Sequence, residues 1–570
     1  MRQGLSADLI KRILGASPKW TLAQLEEKFP PRNLSDGAMV TRFAPSPTGF
    51  MHIGGLYQML INYKLANQSN GVFMLRIEDT DTKREVTGAV ELILDTAVKF
   101  GLVPDERPVL DPKQDMKIVD ISGSKYGPYL QSQRKDIYHS VVAELLAGGA
   151  AYPCFLTSDE MEEIRENQKL AGLPTGIYGE WARNRNLSEE EIIKHLNDGE
   201  IPSIRLYSTG NPDQKIFCKD AARGSIAFPE NNEDIVLIKS NDGLPTYHFA
   251  HLVDDHFMRT TNVIRGEEWL PSLPLHFQLF RIMGWVPPVY VHTSTLDKID
   301  AETGKQRKLS KRHDPEASVA NFLEDGWPTD AVLEYLLNIA SSGYEEEKTK
   351  NPNINLWNYP IKIKKIPMSG ALFDMKKLEW WSREFIGAMS VKDIYKKINN
   401  WIFERKDLLE ETESLGSVWK KDENNIYSKS GEIGYPLNVY VNSNYEKYLT
   451  DILSIERDNP KRIRKDFVTW KQTLEEVSYF FDELFISNTD FDFNKSALIA
   501  FISGFDITDG RDIWWNKIVE IANGLGLKNG DVAMNLRVAV TGRTNTPDLY
   551  SIMQVMGHDR VVNRLQKAIG

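Results

Sequence analysis

The segment RFAPSPTGFMHIGG, residues 42–55, restricts the possible folds of this chain more than any other stretch. It follows a short apolar run and precedes LYQMLINYKLANQ, whose apolar residues recur at close to helical spacing. Pro45 and Pro47 hold the backbone in one extended path. Gly54 and Gly55 leave the start of the helix without side chains, so a ligand can approach its backbone. The pattern predicts a strand, a stiff loop and a helix whose N-terminus is open to a ligand.

The chemistry of that N-terminus favours an anion. Helix N-termini present N–H groups and the positive end of the helix dipole, and His52 stands beside this one as a possible donor to phosphate. The segment contains neither a Walker lysine nor the dinucleotide-binding glycine pattern, so it predicts a phosphate site of another kind. A stiff loop that merely connects two elements is the alternative.

Strands and helices alternate from residue 38 to 100 and again from about residue 244, which predicts an α/β sheet with crossover helices. GVFMLRIED is apolar for most of its length, as strands of a buried parallel sheet are. We expect the next helix to start at Thr80 and to end just before Gly101. The stretch 135–245 mixes helices with short strands and is interpreted as an insertion, and the chain after about residue 320 is mostly helical.

Composition narrows the class of protein. The 570 residues carry a formal net charge of −11, which argues against non-specific coating of nucleic acid but permits a local basic track. The sequence has no run of 18 or more apolar residues, which argues against a membrane-spanning helix. The two cysteines, Cys154 and Cys218, are too few for a disulfide framework or a four-thiolate zinc site, and they suit a reducing interior.

The first residues, MRQGLSADLIKRILGASPKW, are apolar and basic, as a mitochondrial transit peptide can be. Glu26 and Glu27 follow soon, however, and the stretch is not rich in arginine and serine. We therefore expect a small N-terminal helix, continued by TLAQLEEKFP, in a cytoplasmic protein, with the mitochondrial matrix as the alternative location.

A second charged motif, KLSKR at residues 308–312, follows the second α/β half. Its lysines, Lys308 and Lys311, could neutralise charge that develops on a departing pyrophosphate. Taken alone, the motif is more simply interpreted as a solvated basic loop. Together, PSPTGFMHIGG and KLSKR resemble the HIGH and KMSKS signatures of class I aminoacyl-tRNA synthetases.

Six motifs in order resemble glutamyl-tRNA synthetases of the bacterial type: RFAPSPTGFMHIGG, LRIEDTD, YGPYLQSQR, GLPTYHFAHLVDDH, VIRGEEWL and KLSKR. The resemblance runs from about residue 38 to 345 and returns in the last thirty residues. It implies an α/β fold, with a Rossmann-like class I catalytic domain that contains an inserted acceptor-end binding domain. A mostly α-helical anticodon-binding part is expected to follow.

The implied domains are an N-terminal extension (1–37), the first half of the catalytic domain (38–134), the acceptor-end binding insertion (135–245), the second half of the catalytic domain (246–300), a stem-contact region with the KLSKR loop (301–400) and helical anticodon-binding domains (401–570).

The resemblance also implies a reaction. Members of the family activate L-glutamate with ATP and Mg²⁺ to form a glutamyl-adenylate, release pyrophosphate, and transfer the glutamyl group to the 3′ end of tRNA(Glu) with release of AMP. Charging of tRNA(Gln) as well is left open, because it depends on anticodon contacts that the sequence does not locate. A monomer without membrane association is expected.

Three alternatives to this function are an inactive tRNA-binding paralogue, a glutaminyl-tRNA synthetase and a truncated tRNA-modifying relative. The intact histidine and lysines of the two signatures argue against the inactive paralogue. The long helical C-terminal part argues against the truncated relative. Two arginines, Arg42 and Arg265, favour a charged glutamate side chain over the neutral amide of glutamine.

By resemblance, individual residues acquire roles, with His52, Lys308 and Lys311 as the catalytic group. The implied glutamate contacts are Arg42, Ala44, Ser46, Glu78, Tyr247, His251 and Arg265, and the implied ATP contacts are His52, Gly54, Gly55, Glu268, Leu296, Lys308 and Lys311. Structural ion pairs are the alternative for the arginines.

Glu78 is assigned to the ammonium group of glutamate, a part that Asp79 or Asp81 could take instead. A helix-capping acid is the alternative interpretation of Glu78. His251 stands where the common bacterial form of the family has asparagine, so its contact and its charge state are open. In the second signature, Leu309 and Arg312 replace methionine and the final serine, which leaves both lysines in place.

Asp254-Asp255-His256 has the residue types of a metal site, but adjacent side chains point to different faces, so we expect a structural or RNA-facing role. No zinc is expected in the insertion, because the Cys-x-Cys motif of some relatives is incomplete at Cys154-Phe155-Leu156.

Candidate contacts with the tRNA backbone are PKRIRKD (460–466), Arg537, Arg543, Arg560 and Arg564, with solvated helix faces as the alternative. Trp514 or Trp515 could stack on unpaired bases, although burial in a core is the simpler interpretation.

Overall fold

The computed structural model describes residues 3–81, 83–111, 117–120, 125–300, 302–310, 313–368, 370–404, 420–421, 427–429, 432–433, 446–458 and 463–570. Lys311, Arg312 and the segment 459–462 therefore lie outside the described residues. The chain forms two compact units. One comprises Met1–Asn321 with Leu333–Asp374, and the other Phe322–Val332 with Met375–Gly570.

The strands are β1 (Val40–Phe43), β2 (Val72–Leu75), β3 (Pro108–Asp111), β4 (Lys117–Asp120), β5 (Ala151–Cys154), β6 (Ser203–Leu206), β7 (Lys215–Asp220), β8 (Gly224–Pro229), β9 (Val236–Ile238), β10 (Asn262–Gly266), β11 (Val289–Thr293), β12 (Leu296–Ile299), β13 (Gln306–Lys308), β14 (Ala371–Leu372), β15 (Lys420–Lys421), β16 (Tyr427–Lys429) and β17 (Glu432–Ile433).

The helices are α1 (Ala7–Leu14), α2 (Leu22–Lys28), α3 (Ile53–Gln68), α4 (Ala89–Lys99), α5 (Lys135–Ala147), α6 (Ser158–Leu170), α7 (Glu189–Asn197), α8 (Tyr247–Phe257), α9 (Leu273–Met283), α10 (Val319–Glu324), α11 (Thr329–Ala340), α12 (Tyr344–Lys350), α13 (Met375–Ala388), α14 (Val391–Phe403), α15 (Glu446–Ser454), α16 (Trp470–Val477), α17 (Lys495–Gly504), α18 (Arg511–Leu525), α19 (Asn529–Thr541), α20 (Leu549–Met556) and α21 (His558–Ile569).

A parallel α/β arrangement forms the centre of the first unit. Strands β1 and β2 pair in parallel across helix α3, and β10 and β11 do so across helix α9. Just before β10, the N–H of Thr261 donates to the carbonyl of Val40 in β1 at 3.0 Å, so the two pairs lie side by side. Strand β11 continues the sheet to β7 and β8. This confirms the predicted Rossmann-like α/β fold, in which ligands bind at the carboxyl ends of the strands.

Helix α4 begins later than its sequence pattern predicts. It starts at Ala89, after Gly88 in the left-handed conformation at φ +82°, rather than at Thr80. The expected end is confirmed, because the helix stops at Lys99 and Gly101 follows with φ +67°. The polar residues before it belong to a loop whose carboxylates have partners elsewhere: Asp79 accepts hydrogen bonds from the backbone and hydroxyl of Ser132 at 2.8 and 2.6 Å.

The N-terminal residues form the expected helices, α1 and α2, and both pack against the rest of the first unit. Leu9, Ile13 and Leu25 are buried in the same apolar core as Val141 of α5. Helix α2 is capped reciprocally by Thr21 and Gln24, a capping box. The extension is therefore an integral layer of this unit.

The second unit is helical. Its core is built from apolar side chains of α13 to α21, among them Ile394, Leu449, Leu474, Phe501 and Leu536. Among the described residues, no helix combines the length and the apolar character that crossing a membrane requires.

Candidate functional site

A cavity of about 440 Å³ opens where the two signatures meet in the first unit. The N-terminus of α3, the carboxyl ends of β10 and β11, and the β12–β13 segment surround it. The lining residues are His52, Gly54, Gly55, Tyr57, Gln58, Gly266, Glu268, Ser294, Thr295, Leu296, Lys308, Leu309 and Ser310. Every residue expected from the sequence to contact ATP is among them except Lys311, which lies outside the described residues.

His52 is the N-cap of helix α3. Its Nδ1 accepts a hydrogen bond from the N–H of Gly54 at 3.3 Å. A neutral imidazole that accepts at Nδ1 carries its proton on Nε2, so the ring presents a donor beside the helix N-terminus. The chain reaches this point through Gly49, whose φ of +116° is a conformation that favours glycine. The prolines and Gly49 thus determine the path of the backbone into α3. The hydrogen bond at the start of the helix determines that Nε2 of His52 is the donor.

Lys308 reaches across the mouth of the cavity. Its Nζ lies 3.0 Å from Glu268 Oε1, and both side chains are about half exposed. An exposed pair of this kind contributes little stability, so either partner can exchange the other for a ligand.

Asp314, whose side chain is fully buried, holds the segment that carries Lys308 in place. Asp314 accepts from Arg307 at 2.7 and 2.8 Å and from the N–H of Ser310 at 2.9 Å, and it lies 2.6 Å from Lys298 Nζ. Hydrogen bonds from Arg307 hold the pKa of this carboxyl well below its usual range, against the opposing effect of desolvation.

Arg265, at the carboxyl end of β10, adjoins the cavity through the next residue, Gly266. Its guanidinium donates to His292 Nε2 at 2.9 Å and, in longer bonds of 3.3 Å, to Tyr247 OH, Trp269 O and His276 Nδ1. The ring of Tyr247 stacks on Trp269 at 4.2 Å. Within the described part of the chain, no carboxylate lies within ion-pair distance of Arg265.

Arg42, the other arginine expected to bind glutamate, has a carboxylate partner within the protein. Its Nε lies 3.3 Å from Asp255 Oδ1, and both side chains are buried. Asp255 also accepts from Arg76 at 2.8 Å. Burial would raise the pKa of Asp255, but Arg42 and Arg76 outweigh that effect and hold it well below its usual range. The ion pair that was the alternative interpretation of Arg42 is therefore present.

Glu78 lies at the same cluster, with Oε1 3.3 Å from Arg76 Nη2. Burial raises its pKa, and the nearby arginines partly oppose that shift. Because α4 begins at Ala89, Glu78 is not a helix cap, and that interpretation was wrong. Arg76 is a site neighbour that sequence reasoning missed, although it stands inside the LRIEDTD motif.

His251 is fully buried on helix α8. Its Nε2 lies 3.0 Å from Tyr290 OH, and its Nδ1 lies 2.8 Å from Asp255 Oδ2. Burial lowers the pKa of His251 to about 3, so the ring is neutral at physiological pH. This answers the question of charge that the sequence left open.

Ala44 and Ser46 follow β1 in the loop that leads to the cavity. The N–H of Glu78 donates to the carbonyl of Pro45 at 3.0 Å, which ties this loop to the end of β2. Ala44 is half-buried and Ser46 is exposed. Both are thus placed at the carboxyl edge of the sheet.

Asp254 and Asp255 have structural roles. Asp254 accepts from Arg134 at 2.6 Å, from Tyr138 and from Gln131, and no water-facing surface is left on it. These contacts support a structural role for Asp254 and Asp255, one of the two roles expected for Asp254-Asp255-His256. His256 stacks on Trp285 at 3.7 Å, and its Nε2 lies 2.7 Å from Glu26.

Cys154 and Cys218 are both buried, in strands of different sheets.

The arginines expected to contact RNA in the second unit all make hydrogen bonds within that unit. Arg564 is buried and donates to the carbonyls of Tyr479 and Val540 at 2.6 and 2.8 Å, so its assignment to the RNA backbone was wrong. The other three are held by neighbours: Arg537 by Thr546 and Pro547, Arg543 by Glu475 and Glu476, and Arg560 by Asp482 and Phe480.

Trp514 is buried, as its alternative interpretation expected, and Trp515 is 42% exposed. In the basic segment before them, Arg464 is buried against Asp466, and Lys465 pairs with Glu384 at 2.6 Å.

A family model described as the class I tRNA synthetase (E and Q) catalytic domain matches residues 38–380, and one described as an anticodon binding domain matches residues 506–569.

Full-length relatives extend the likeness. The chain is 42% identical over 567 residues to a glutamate–tRNA ligase of Clostridium perfringens strain SM101, covering 95% of each chain. It is 40% identical to the ligase of Clostridium beijerinckii, covering 99% of each chain. Among solved structures, a glutamate tRNA ligase from Elizabethkingia meningosepticum in complex with its amino acid matches with a TM-score of 0.70 and 28% identity, over 93% of this chain and 99% of that one.

Proposed function

Because the chain belongs to the glutamate–tRNA ligases of class I, and so charges tRNA(Glu) with glutamate in an ATP-dependent reaction, we propose that it works through a glutamyl-adenylate. In the first step the α-carboxylate of glutamate attacks the α-phosphorus of ATP, and pyrophosphate leaves. In the second, the terminal ribose hydroxyl of the tRNA attacks the activated carbonyl, and AMP leaves. Neither step requires a covalent bond to the protein.

The cavity at the meeting point of the two signatures is the observation that carries this proposal. Its volume of about 440 Å³ suits a nucleotide, and His52, Gly54 and Gly55 bring a helix N-terminus to one side of it. Lys308 stands at its mouth. Phosphates placed between them would meet N–H groups, a dipole and an ammonium group, which is the arrangement that stabilises charge developing on a leaving pyrophosphate.

Glu268 and Leu296 lie on the remaining walls, where a ribose and a base would sit. Glu268 is the one carboxylate among the described residues that line the cavity, and Lys308 neutralises it. The residues present therefore do not build a magnesium cage by themselves. We propose that Mg²⁺ enters with ATP, held mainly by its phosphates, as is common for this ion.

Glutamate is proposed to bind beside Arg265, close to the cavity. Arg265 supplies a positive charge that no described carboxylate neutralises, which suits the side-chain carboxylate of the substrate. Glu78, whose carboxylate contacts Arg76, is proposed to face the ammonium group, with Tyr247, His251, Ala44, Ser46 and Arg42 completing the pocket. Catalysis in this scheme is positioning plus electrostatic stabilisation.

We expect His52→Ala to slow adenylate formation by about 10²-fold, the usual cost of losing one preorganised donor to developing charge. The measurement is the single-turnover rate of pyrophosphate release at saturating ATP, glutamate and tRNA(Glu). His195→Ala is the matched control, because His195 pairs with Glu200 on the insertion and lies outside the cavity. A wild-type rate for His52→Ala would remove His52 from the mechanism. By the sequence resemblance, Lys311→Ala is expected to behave as His52→Ala does.

The function itself is tested by aminoacylation of purified transcripts of tRNA(Glu) and tRNA(Gln) with radiolabelled glutamate, ATP and Mg²⁺. Charging of tRNA(Glu) alone would indicate a discriminating enzyme. Charging of both would indicate a non-discriminating one, whose product on tRNA(Gln) needs a later amidation. Charging of neither would overturn the proposal in favour of an inactive tRNA-binding paralogue.

The domain assignments complete the proposal. Residues 135–245 are proposed to bind the acceptor end, residues 301–400 to contact the tRNA stem and residues 401–570 to read the anticodon, with a monomer acting in the cytoplasm. The match of residues 506–569 to an anticodon binding domain supports the last of these assignments.

A further inference from the structure

Three neighbouring strands place a carboxylate, an imidazole and a guanidinium in one line. Arg265 in β10 is the register partner of His292 in β11, and Tyr290 in β11 is the partner of Asp220 in β7. The three side chains of the line, Asp220, His292 and Arg265, are at most 6% exposed. They lie at the carboxyl ends of the strands, which is the edge that faces the cavity.

The hydrogen bonds define where each proton lies. Asp220 Oδ2 accepts the backbone N–H of His292 at 2.9 Å and lies 2.8 Å from His292 Nδ1. A carboxylate partner at this distance requires the proton on Nδ1, so Nε2 is left as an acceptor. Arg265 Nε donates to that acceptor at 2.9 Å. Asp220 is itself held, because its Oδ1 accepts the N–H groups of Ala222 and Arg223 at 2.9 and 2.8 Å.

A second imidazole, that of His276, also accepts a hydrogen bond from Arg265. His276 Nδ1 lies 3.3 Å from Arg265 Nη2, and His276 Nε2 lies 3.0 Å from His248 Nδ1. Burial lowers the pKa of both His276 and His292, so both rings are neutral acceptors at physiological pH. Arg265 is thus oriented by groups that accept its N–H bonds without cancelling its charge.

Arg42 and Arg265 differ in whether a carboxylate compensates the charge of the guanidinium. Arg42 meets the charged carboxylate of Asp255, which compensates it. For Arg265, the bond to His292 is the shortest of its four, and those on the outer nitrogens are all 3.3 Å long. The Nε bond therefore anchors the guanidinium, while the outer edge can exchange its longer bonds for a ligand.

We propose that Asp220 and His292 are positioning residues that hold the Arg265 guanidinium toward the side-chain carboxylate of glutamate and leave its charge for that carboxylate. This rests on the proposed function, in which Arg265 binds glutamate. Asp220 acts through His292, and His292 acts through Arg265; neither touches the substrate. The arrangement favours a charged side chain over the neutral amide of glutamine, because an uncompensated cation gains most from an anion.

Two substitutions at one position separate this role from packing. In His292→Asn the amide reaches the place of Nδ1, so it can still bond Asp220 but offers no acceptor to Arg265. In His292→Gln the amide oxygen reaches the place of Nε2 and restores that acceptor. We expect His292→Asn to raise KM for glutamate about 10- to 100-fold, as for a lost hydrogen bond to a charged group, with KM for ATP unchanged. His292→Gln should recover most of the loss.

The assay is aminoacylation of tRNA(Glu) by the full chain, with cooperative unfolding of each variant checked by calorimetry. Equal losses in His292→Asn and His292→Gln, or a rise in KM for ATP as large as that for glutamate, would overturn the proposal. If wild type fails to charge tRNA(Glu), the proposed function fails instead, so the two failures are distinguishable.

Asp220→Asn is the second variant. An amide in this place cannot accept from Ala222, Arg223 and both N–H groups of His292 at once, so we expect the same rise in KM for glutamate. If neither Asp220→Asn nor His292→Asn folds, the pair serves folding rather than positioning, and the proposal is overturned.

Discussion

Replacing Arg265 with methionine is expected to lower kcat/KM for glutamate by about 10³-fold, the order expected when one partner of a desolvated charge pair is removed. KM for ATP should change little, because the cavity lining does not include Arg265. Methionine keeps much of the apolar stem, so the loss reports the guanidinium. Steady-state aminoacylation at varied glutamate and varied ATP measures both quantities.

The variant should fold, and the structure gives the reason. The acceptors that Arg265→Met abandons are neutral, namely His292, His276, Tyr247 and the carbonyl of Trp269. No buried charge is stranded, so the cost in stability stays at the level of unmade neutral hydrogen bonds, about 1–3 kcal/mol.

Arg281→Met is the control for this substitution. Arg281 lies on helix α9 of the same unit with a side chain that is 60% exposed, 3.9 Å from Glu230. It should retain wild-type kinetics. A fall of less than tenfold for Arg265→Met, with Arg281→Met unchanged, would show that Arg265 does not bind the substrate carboxylate.

The first unit is expected to lose stability steeply as the pH falls below about 6.5. Six of the ten histidines have pKa values lowered by burial, and four of them surround Arg265: His248, His251, His276 and His292. A lowered folded pKa means that the folded chain binds fewer protons than the unfolded chain below pH 6.5, so acid favours unfolding. Burial lowers the pKa of His248 to about 4 and that of His251 to about 3, which sets the lower end of the window.

Inside this window His248 and His251 each contribute about 1.4 kcal/mol per pH unit. These two alone should cost about 4 kcal/mol between pH 7.5 and 5.0, a large part of the stability of a domain. The measurement is urea unfolding at the two pH values. Unfolding is monitored by pulsed hydrogen exchange and mass spectrometry, which reports peptides of each unit separately. Carboxylates with unperturbed pKa values are mostly ionised at both pH values, and a carboxyl whose pKa is raised by burial, such as that of Glu78, acts in the opposite sense.

His248→Asn provides the internal test. Asparagine can still accept from His276 but does not titrate, so the pH dependence should flatten by about one proton. His558→Asn, on helix α21 of the second unit, should leave the first unit unchanged. The prediction would be contradicted if the unfolding free energy of the wild-type first unit changed, between the two pH values, by no more than the uptake of one proton accounts for.

Much of the cavity proposed to bind ATP was predictable, because its parts are local in the chain. Pro45, Pro47 and Gly49 predict a loop, and the residues that follow His52 predict the start of a helix. The N-terminus of a helix in turn favours an anion. Lys308 was recognised by its motif, and the structure places it at the same cavity as His52. The start of α4 was missed, since Thr80 and Asp81 resemble a helix cap yet belong to a loop that ends at Gly88.

The partners of the buried charges were not predictable in the same way. Arg42 and Asp255 are 213 residues apart, and Asp220 and His292 are 72 apart. Asp220 and His292 meet because β7 and β11 pair in parallel, whereas Arg42 in β1 meets Asp255 on helix α8. Arg564 shows the reverse error, since a basic residue near the C-terminus resembled an RNA contact and is buried among carbonyls.

Residue order alone therefore decides the strand, the loop and the helix whose N-terminus lines the cavity, and the family to which the chain belongs. Tertiary structure decides which arginine has its charge compensated by a neighbouring carboxylate. Arg42 lies against an aspartate, whereas Arg265 lies against neutral imidazoles. The physical reason is that dihedral preferences and capping act within a few residues. The field at a buried group, by contrast, depends on the side chains from distant parts of the sequence that the fold places within a few ångströms of it.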